Sequence, residues 1–543
     1  MNSALDRSNI KMDKLWIIRE SFKRQKLYEG QDVKVDEDKI SDLPDCVLHH
    51  ILSMLPTKDA GATCLLSTRW KYLSTSVPNI EGQDVKANED KISDLPDCIV
   101  HHILSMLPTK DVVSTCLLSK RWKYLWTSVP NIDFDDSSLY PSEVNDWDTV
   151  KLTCFMNFVE KVLFLHDDSN MEKFRLSCRV CFDASRIHAW VSAAMKHKVQ
   201  ELDLCLFVET PFALPPKVFV SEFLTVVKIA MNCVLELPTC ISFPQLKTLH
   251  LALVTFLDDD STQKLLSSCP VLQDLSILDC EWMNLKHIVV SIPTLTSLTM
   301  DDLPYFGSAD ELNGCEIKIE AANLAFLKYN GCLLNEIVLS NLPSLVDAYV
   351  YVAILGERQQ EIANRAIKVL RGLHSVKSMR MSTGAIESLF LTDNVPHRLP
   401  TFQNLTSLEL SMRINKHSIP KVLNFLQFTP NLESLVFFEG SKPCVCLEED
   451  WILKPAPNCF MSCLKSVKLN NFHGNDEEMC MLKYILKNAL VLERLNSIHK
   501  LCNHVPVNFY GPTTKLIVEV SALKEDFQLI LCLRNYRPVV QND

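Results

Sequence analysis

The amino-acid sequence predicts a mixed α/β protein: two copies of a small all-α three-helix module, followed by a long solenoid of strand–helix repeats with a parallel sheet. Two observations predict this architecture. A segment of 52 residues occurs twice in tandem near the N-terminus, and an L-x-x-L-x-L type pattern recurs through the rest of the chain. The length of 543 residues exceeds what one hydrophobic core covers, which also indicates several domains.

The duplicated segments, Glu29–Ile80 and Glu81–Ile132, align without gaps and are identical at 43 of 52 positions. Two units are too few for a solenoid, so the pattern indicates tandem duplication of one module. In the second copy, Ile99 and Ile103 recur at helical spacing and Pro108 ends the first predicted helix. A second helix follows, and a third places Trp122 four residues from Trp126 on one face.

Three short helices have little core of their own, so such a module needs to dock on a partner. The stretch LPDCIVHHILSMLPTKDVVSTCLLSKRWKYLWTSVPNIDFDD (Leu95–Asp136) closely resembles the plant F-box. The resemblance implies a three-helix unit that docks on a Skp-family adaptor, which bridges it to a cullin. For each residue, internal packing is the alternative to a contact role. The adaptor-binding positions that carry over are Leu95, Pro96, Ile99, Ile103, Leu104, Val112, Cys116, Leu117 and Trp122.

The first copy differs from the second mainly in its second and third helices. Ala60 and Gly61 stand where the second copy has valines, and Ser74 stands where it has Trp126. Glycine costs about 1 kcal/mol in helix propensity, and Val to Ala costs roughly 1–2 kcal/mol where the site is buried. We therefore predict that the second copy is the working module and that the first is weakened.

The body of the chain predicts irregular leucine-rich repeats, each supplying one strand to a parallel sheet. Pro-x-Leu precedes several of the predicted strands and marks the turn that enters each one. Helices are predicted between strands, for example within 259–272 and 417–432. The pattern occurs in VQELDL (199–204), LTVVKI (224–229), LKTLHL (246–251), LQDLSI (272–277), LTSLTM (295–300), LAFLKY (324–329), VKSMRM (376–381), LTSLEL (405–410), LESLVF (432–437) and LKSVKL (464–469).

The leucines of this pattern are core candidates, so target contacts are predicted at the variable positions between them. A solvated strand face is the alternative for each. The predicted target-binding residues are Gln200, Lys247, Thr248, Gln273, Asp274, Thr296 and Ser297.

Near the end, SCLKSVKLNNFHGNDEEMCMLKYILKNALVLERLNSI (Ser462–Ile498) resembles the plant FBD motif, which we expect to continue and close the solenoid. With the two F-box copies and the repeats, this resemblance divides the chain into six predicted regions. They are an N-terminal segment (1–28), the weakened F-box copy (29–80), the second F-box copy (81–136), the leucine-rich repeats (137–440), the FBD region (441–530) and a tail (531–543).

Composition excludes several classes of function. A net charge of −11 argues against nucleic-acid binding, and no apolar stretch is long enough to predict a membrane span. The 21 cysteines occur singly inside apolar stretches, and no secretory signal is recognisable. This favours a nuclear and/or cytoplasmic protein whose cysteines are reduced and serve as small, buried hydrophobic residues. The spacing Cys178-x-x-Cys181 would place its thiols on opposite faces of a strand, so zinc is not predicted. We find no phosphate-binding loop, expect no cofactor and identify no catalytic constellation.

Together the resemblances imply a non-enzymatic substrate-recognition subunit of a Skp–cullin–F-box ubiquitin ligase. The F-box would bind the Skp-family adaptor, and the repeats would bind an unidentified target protein for ubiquitination. The alternative is a non-ligase interaction scaffold or a decaying paralogue.

Overall fold

The computed structural model describes residues 97–118, 120–136, 149–178, 184–207, 212–282, 284–302, 314–353, 359–390, 399–413, 418–439, 456–470, 476–498 and 515–519. The first F-box copy and the tail lie outside these residues. The chain forms two compact units, Met1–Val218 and Phe219–Asp543. Within the described residues, no helix combines the length and apolar character needed to cross a membrane.

The first unit contains the second three-helix module and three strands, with parallel pairing of β1 with β2 and of β2 with β3. Its strands are β1 (Asn131–Asp135), β2 (Lys173–Cys178) and β3 (Glu201–Leu206). Its helices are Asp97–Ser105, Thr109–Ser114, Trp122–Leu125, Thr149–Leu165 and Ala184–Lys196, with 3-10 turns at Thr115–Leu117 and Trp126–Ser128. A short helix, Pro216–Phe219, follows β3.

The module leads directly into the sheet, because β1 begins three residues after its last helical turn. The backbone N–H of Asp133 donates to the hydroxyl of Thr109 at 2.7 Å, and Thr109 is buried. On the other side, the N–H of Glu172 donates to the carbonyl of Pro130 at 2.8 Å. The last residues of the module therefore form a strand of the repeat sheet. The sequence, in contrast, predicts that the repeats begin only after residue 136.

The second unit contains a long sheet and a smaller three-stranded one in the order β11-β9-β7. Pairing in the long sheet is parallel except between β17 and β18. The strands are β4 (Val226–Met231), β5 (Thr248–Ala252), β6 (Asp274–Leu278), β7 (His287–Val290), β8 (Ser297–Asp302), β9 (Glu316–Ile319), β10 (Phe326–Gly331), β11 (Glu336–Leu339), β12 (Asp347–Val352), β13 (Ser378–Ser382), β14 (Ser407–Arg413), β15 (Ser434–Glu439), β16 (Ser466–Asn470), β17 (Arg494–Ile498) and β18 (Lys515–Glu519). The helices are Asp259–Ser267, Gln359–Gly372, Thr383–Leu389, Ser418–Leu426, Asn458–Ser462 and Asp476–Asn488.

The leucine pattern explains how neighbouring repeats stack. Leu249, Leu275, Leu298 and Leu327 lie in register on successive strands of the long sheet, and all four are buried. One apolar row therefore continues from strand to strand, as a solenoid requires. At the strand entries, the N–H groups of Lys247 and Thr248 both donate to the carbonyl of Thr225, at 2.8 and 3.1 Å.

The ten predicted pattern segments all form strands, and both helical predictions are confirmed with shorter bounds, at Asp259–Ser267 and Ser418–Leu426. The region that resembles an FBD supplies β16, the helix Asp476–Asn488 and β17, and β16 pairs with β15 as one more parallel strand. This part of the chain therefore continues the solenoid. The assignment of an FBD as such stays a prediction.

Candidate functional site

The second F-box module exposes several large apolar side chains. Leu117 is 86% exposed, Leu118 64% and Tyr124 65%, and Leu107 is also exposed. The helix that carries Tyr124 packs against the 3-10 turn that ends at Leu117, so these side chains belong to neighbouring elements. An apolar surface of this kind on a small module is typical of a protein-binding site.

The predicted adaptor-binding residues divide into three groups in the structure. Leu104, Val112 and Trp122 are buried inside the module, which favours an internal packing role for them. Their contact with an adaptor stays a prediction. Leu117 is exposed, whereas Ile99, Ile103 and Cys116 are half-buried. Leu95 and Pro96 lie outside the described residues. Sequence reasoning missed Leu118 and Tyr124, which share the same apolar helical segments but point to solvent.

On the sheet face of the first unit, one guanidinium group is shared by three carboxylates. Arg175 on β2 lies 3.0 Å from Asp133, 3.5 Å from Asp203 and 3.6 Å from Asp135. Burial by itself would lower the pKa of Arg175, but these carboxylates outweigh it and raise that pKa above its ordinary value. The guanidinium group is therefore held in an internal network.

In the second unit, one set of outward positions runs across the long sheet in register, and we call it the central row. Apart from Ser276 and Lys328, which are buried, its members are half-buried and alternate with buried residues along their strands, as expected for the outer face of a sheet. The central row consists of Lys228, His250, Ser276, Thr299, Lys328, Tyr349, Arg380, Glu409, Val436 and Lys468.

The predicted target-binding residues lie at the entry of strands, and those of the second unit lie beside this row. Thr248, Asp274 and Ser297 are in register and half-buried, and Asp274 lies 3.8 Å from His250. The other four are exposed, and each immediately precedes the first residue of a strand. In the second unit these are Lys247, Gln273 and Thr296, whose backbones are hydrogen-bonded in series, and in the first unit it is Gln200.

The middle of the central row contains a cluster that sequence reasoning did not identify, and we call it the Tyr349 cluster: Lys328, Tyr349, Arg380 and Glu409. The Nζ of Lys328 lies 5.1 Å from the centroid of the Tyr349 ring, and the Cζ of Arg380 lies 4.9 Å from it. Arg380 also binds the Glu409 carboxylate at 2.8 Å. Two cations share one aromatic ring, which stabilises them on the sheet face.

A buried carboxyl group lies close to this cluster, at the end of β8. Asp302 Oδ1 accepts hydrogen bonds from the Tyr329 hydroxyl at 2.5 Å and from the Cys332 N–H at 3.0 Å. Burial raises the pKa of Asp302 from 3.8 to about 7, although the hydrogen bond from Tyr329 opposes the shift. Asp301, the next carboxyl group, adds to the shift and accepts from Asn330 at 2.7 Å.

Because the folded-state pKa of Asp302 is raised, the folded protein holds this proton more tightly than the unfolded chain does. We expect this group to destabilise the second unit progressively as the pH rises from about 4 to about 7, by on the order of 4 kcal/mol in total, and to have no further effect above that range. Unfolding midpoints of the wild type and of Asp302→Asn, measured at pH 5 and pH 8, test this. Asparagine keeps the acceptor without the titration, so equal pH dependence of both proteins would contradict the assignment.

A cavity of about 720 Å³ opens beside the three-stranded sheet, next to the helix Gln359–Gly372. Its polar lining includes Glu336 and Lys368, which form an ion pair, together with Arg371 and His374. Because the lining contains both cationic and anionic side chains, it does not indicate one class of ligand. Among the residues that the structure describes, no three His, Cys, Asp or Glu side chains come together as a metal-binding group.

The described buried cysteines are not suited to nucleophilic chemistry. Burial raises the pKa of Cys269, Cys280, Cys315 and Cys332 to about 12, so these thiols stay protonated near neutral pH. The sequence predicted such cysteines to be small hydrophobic core residues. Their burial in the repeats confirms that prediction for these four.

Comparison with known proteins agrees with both parts of this architecture. The family model for the LRR domain of At1g61320/AtMIF1 matches residues 162–506, and the F-box domain model matches residues 40–81 and 92–134. F-box/LRR-repeat protein At4g14096 of Arabidopsis thaliana is 30% identical over 434 residues, which cover 76% of this chain and 88% of the relative. F-box/LRR-repeat protein At4g14103 is 33% identical over 370 residues, covering 65% and 93%. F-box/LRR-repeat protein At3g59200 is 32% identical over 445 residues, covering 75% and 82%. The two latter relatives are also from Arabidopsis thaliana.

Proposed function

This chain belongs to the family of F-box/LRR-repeat proteins, and on that premise we propose that it is a substrate-recognition subunit of a Skp–cullin–F-box ubiquitin ligase. The second F-box module binds a Skp-family adaptor, which connects it to a cullin. The repeats bind a target protein. The complex acts in the nucleus and/or the cytoplasm.

The observation that supports adaptor binding most directly is the exposed apolar surface of the second module. Leu117, Leu118 and Tyr124 are exposed although the module has a buried core of its own, with Val100, Leu104 and Trp122. Leaving such side chains in water is unfavourable by roughly 1.5–3 kcal/mol each compared with full burial, so a partner that covers them gains affinity. A groove between helices of an adaptor is a suitable partner.

The proposed role needs no chemistry from this chain. A recognition subunit accelerates ubiquitination by holding the target close to a ubiquitin-charged enzyme that other subunits supply. The outward face of the repeat sheet, with its variable polar residues on a regular apolar core, is the surface that supports target binding. Such faces allow different targets to be recognised without a change in the fold.

The experiment that tests this proposal measures binding of the full chain to a purified Skp-family adaptor. We expect Leu117→Asp to weaken adaptor binding at least about tenfold, because a carboxylate at a buried apolar contact cannot be solvated or paired. The matched control is Leu257→Asp, since Leu257 is 54% exposed and belongs to the second unit rather than to the module. Unchanged thermal unfolding of both variants shows that the fold is intact.

Absence of any adaptor binding by the wild-type chain would overturn the ligase proposal. It would favour a protein that uses its repeats as an interaction scaffold only. Equal loss of binding in Leu117→Asp and Leu257→Asp would instead show that the exposed surface of the module is not the binding site.

A further inference from the structure

We infer that the Tyr349 cluster binds an acidic segment of the target protein, with Asp or Glu carboxylates of that segment contacting Arg380. Lys328, which is 8% exposed, adds positive charge 5.1 Å from the centroid of the Tyr349 ring. This inference rests on the proposed function, because it assigns the chemistry of the target that the repeats hold. The occupant is a peptide segment carrying carboxylate side chains.

The distribution of charge along the sheet face is the first argument. The chain as a whole has a net charge of −11, yet the central row carries four cations and one carboxylate. The acidic residues near it lie in neighbouring rows: Asp274 is beside His250, and Asp301 is bonded to Asn330. Within the central row cations therefore outnumber carboxylates, and a segment that carries several carboxylates complements this row. The four cations are Lys228, Lys328, Arg380 and Lys468.

The geometry of Arg380 is the second argument. Its guanidinium group binds the Glu409 carboxylate at 2.8 Å and lies 4.9 Å from the centre of the Tyr349 ring. The chain's own carboxylate thus shows which ligand chemistry the oriented guanidinium group accepts. The Arg380 side chain is 39% exposed, and a guanidinium group has five N–H donors, more than one carboxylate uses. A second carboxylate from solvent finds donors already fixed in position.

The apolar side chains around these cations are the third argument. The rings of Tyr349 and Tyr351 are stacked, with centroids 5.8 Å apart and planes 18° apart. Val436 follows Glu409 in the central row, and Phe438 on the same strand is 48% exposed. Tyrosine and arginine dominate the residues that contribute most to protein–protein affinity, and an apolar surround excludes water from charged contacts. The cluster has the composition of a binding centre.

The experiment measures fluorescence anisotropy of labelled ten-residue peptides with the purified full chain. The probes are an alternating Glu-Ala peptide, the matching Gln-Ala peptide and a phosphoserine-Ala peptide. We expect the Glu-Ala peptide to bind at least about tenfold more tightly than the Gln-Ala peptide, and to weaken as salt increases. Arg380→Gln and Tyr349→Leu are expected to reduce Glu-Ala binding at least about fivefold. The matched control, Arg371→Gln, removes an exposed arginine from the helix Gln359–Gly372 and is expected to change it less than twofold.

Equal binding of the Glu-Ala and Gln-Ala peptides would overturn this inference, as would equal effects of Arg380→Gln and Arg371→Gln. Binding of the phosphoserine peptide alone would also overturn it, because the proposed occupant is a carboxylate. Adaptor binding is measured on the same preparations. A chain that binds the adaptor but fails to distinguish the peptides refutes the acidic target and leaves the proposed ligase role standing.

Discussion

Replacing Gly331 with alanine is expected to destabilise the second unit by roughly 3 kcal/mol or more, one of the largest effects of a single methyl group in this protein. A Cβ atom at this position would lie 1.5 Å from Asp302 Oδ1 and 2.8 Å from the Tyr329 hydroxyl oxygen. Neither atom is free to move away. Oδ1 of Asp302 accepts from Tyr329 and from the Cys332 N–H, and the Tyr329 hydroxyl accepts from the Leu333 N–H at 2.6 Å.

The methyl group would therefore break a buried hydrogen-bond network, and each polar group left without a partner costs about 1–3 kcal/mol. Chemical unfolding of Gly331→Ala measures the loss. The matched control is Gly314→Ala, because a Cβ atom at Gly314 meets nothing within 4 Å.

A second test removes the Asp302 carboxyl group that a side chain at residue 331 would meet. In an Asp302→Ala background, adding Gly331→Ala is expected to reduce the free energy of unfolding much less than it does in the wild type. Equal costs in both backgrounds would show that Asp302 is not what excludes a side chain at residue 331.

The sequence predicts the strands of this protein well where leucine marks them, and less well elsewhere. A strand whose inward residue is leucine or methionine fits the repeat pattern, as at Leu298 and Met379. In β12 the equivalent residue is Ala348, which is buried in the same row but carries too little apolar signal to be recognised. The short strands β7, β9 and β11 lack the leucine pattern altogether, so the smaller sheet could not be predicted.

The missed strand also explains why the Tyr349 cluster was not predicted. Tyr349 lies on β12, and its neighbours Lys328 and Arg380 come from strands 21 and 31 residues away in the sequence. Only the register of three strands brings them together. The sequence placed target contacts at Thr248 and Asp274 because they lie between leucines, a rule that identifies the outward face but not which part of it concentrates charge.

Apolar periodicity likewise predicted the helices of the F-box module without separating its core from its exposed surface. Leu104 and Leu117 both fit a helical stripe, yet Leu104 is fully buried and Leu117 is 86% exposed. The difference depends on which faces the three helices turn towards one another. That arrangement is a tertiary property, and a spacing rule within one helix does not contain it.

The structure supports a strong prediction about the two F-box copies: the second is expected to provide adaptor binding almost entirely. Val112 is 2% exposed and Trp126 is 8% exposed in the second copy, and the first copy has Ala60 and Ser74 at these positions. Truncating a buried tryptophan costs about 3–5 kcal/mol, and truncating the valine costs roughly 1–2 kcal/mol more. So small a module has only about 3–5 kcal/mol of core stability to lose.

Deletion of Glu81–Ile132 is a poor test of this ranking, because it would also remove the start of β1, where Ile132 is 3% exposed. Point variants at equivalent positions avoid that problem. We expect Leu117→Asp with Leu118→Asp to abolish measurable binding of the full chain to a purified Skp-family adaptor. The matched pair in the first copy, Leu65→Asp with Leu66→Asp, and deletion of Glu29–Ile80 are both expected to leave the adaptor Kd within about twofold.

Restoration of the first copy completes the argument, since it separates a weakened module from one that is inactive for another reason. In the chain carrying Leu117→Asp and Leu118→Asp, the changes Ala60→Val, Gly61→Val and Ser74→Trp give the first copy the residues of the second at these positions. Of the equivalent residues in the second copy, Val112 and Trp126 are buried and Val113 is half-buried. We expect these changes to restore adaptor binding, because the first copy keeps Leu65 and Leu66 and lacks chiefly its core. Loss of binding on deletion of Glu29–Ile80 would reverse the ranking. Failure of the three substitutions to restore binding would show that core stability is not what separates the copies.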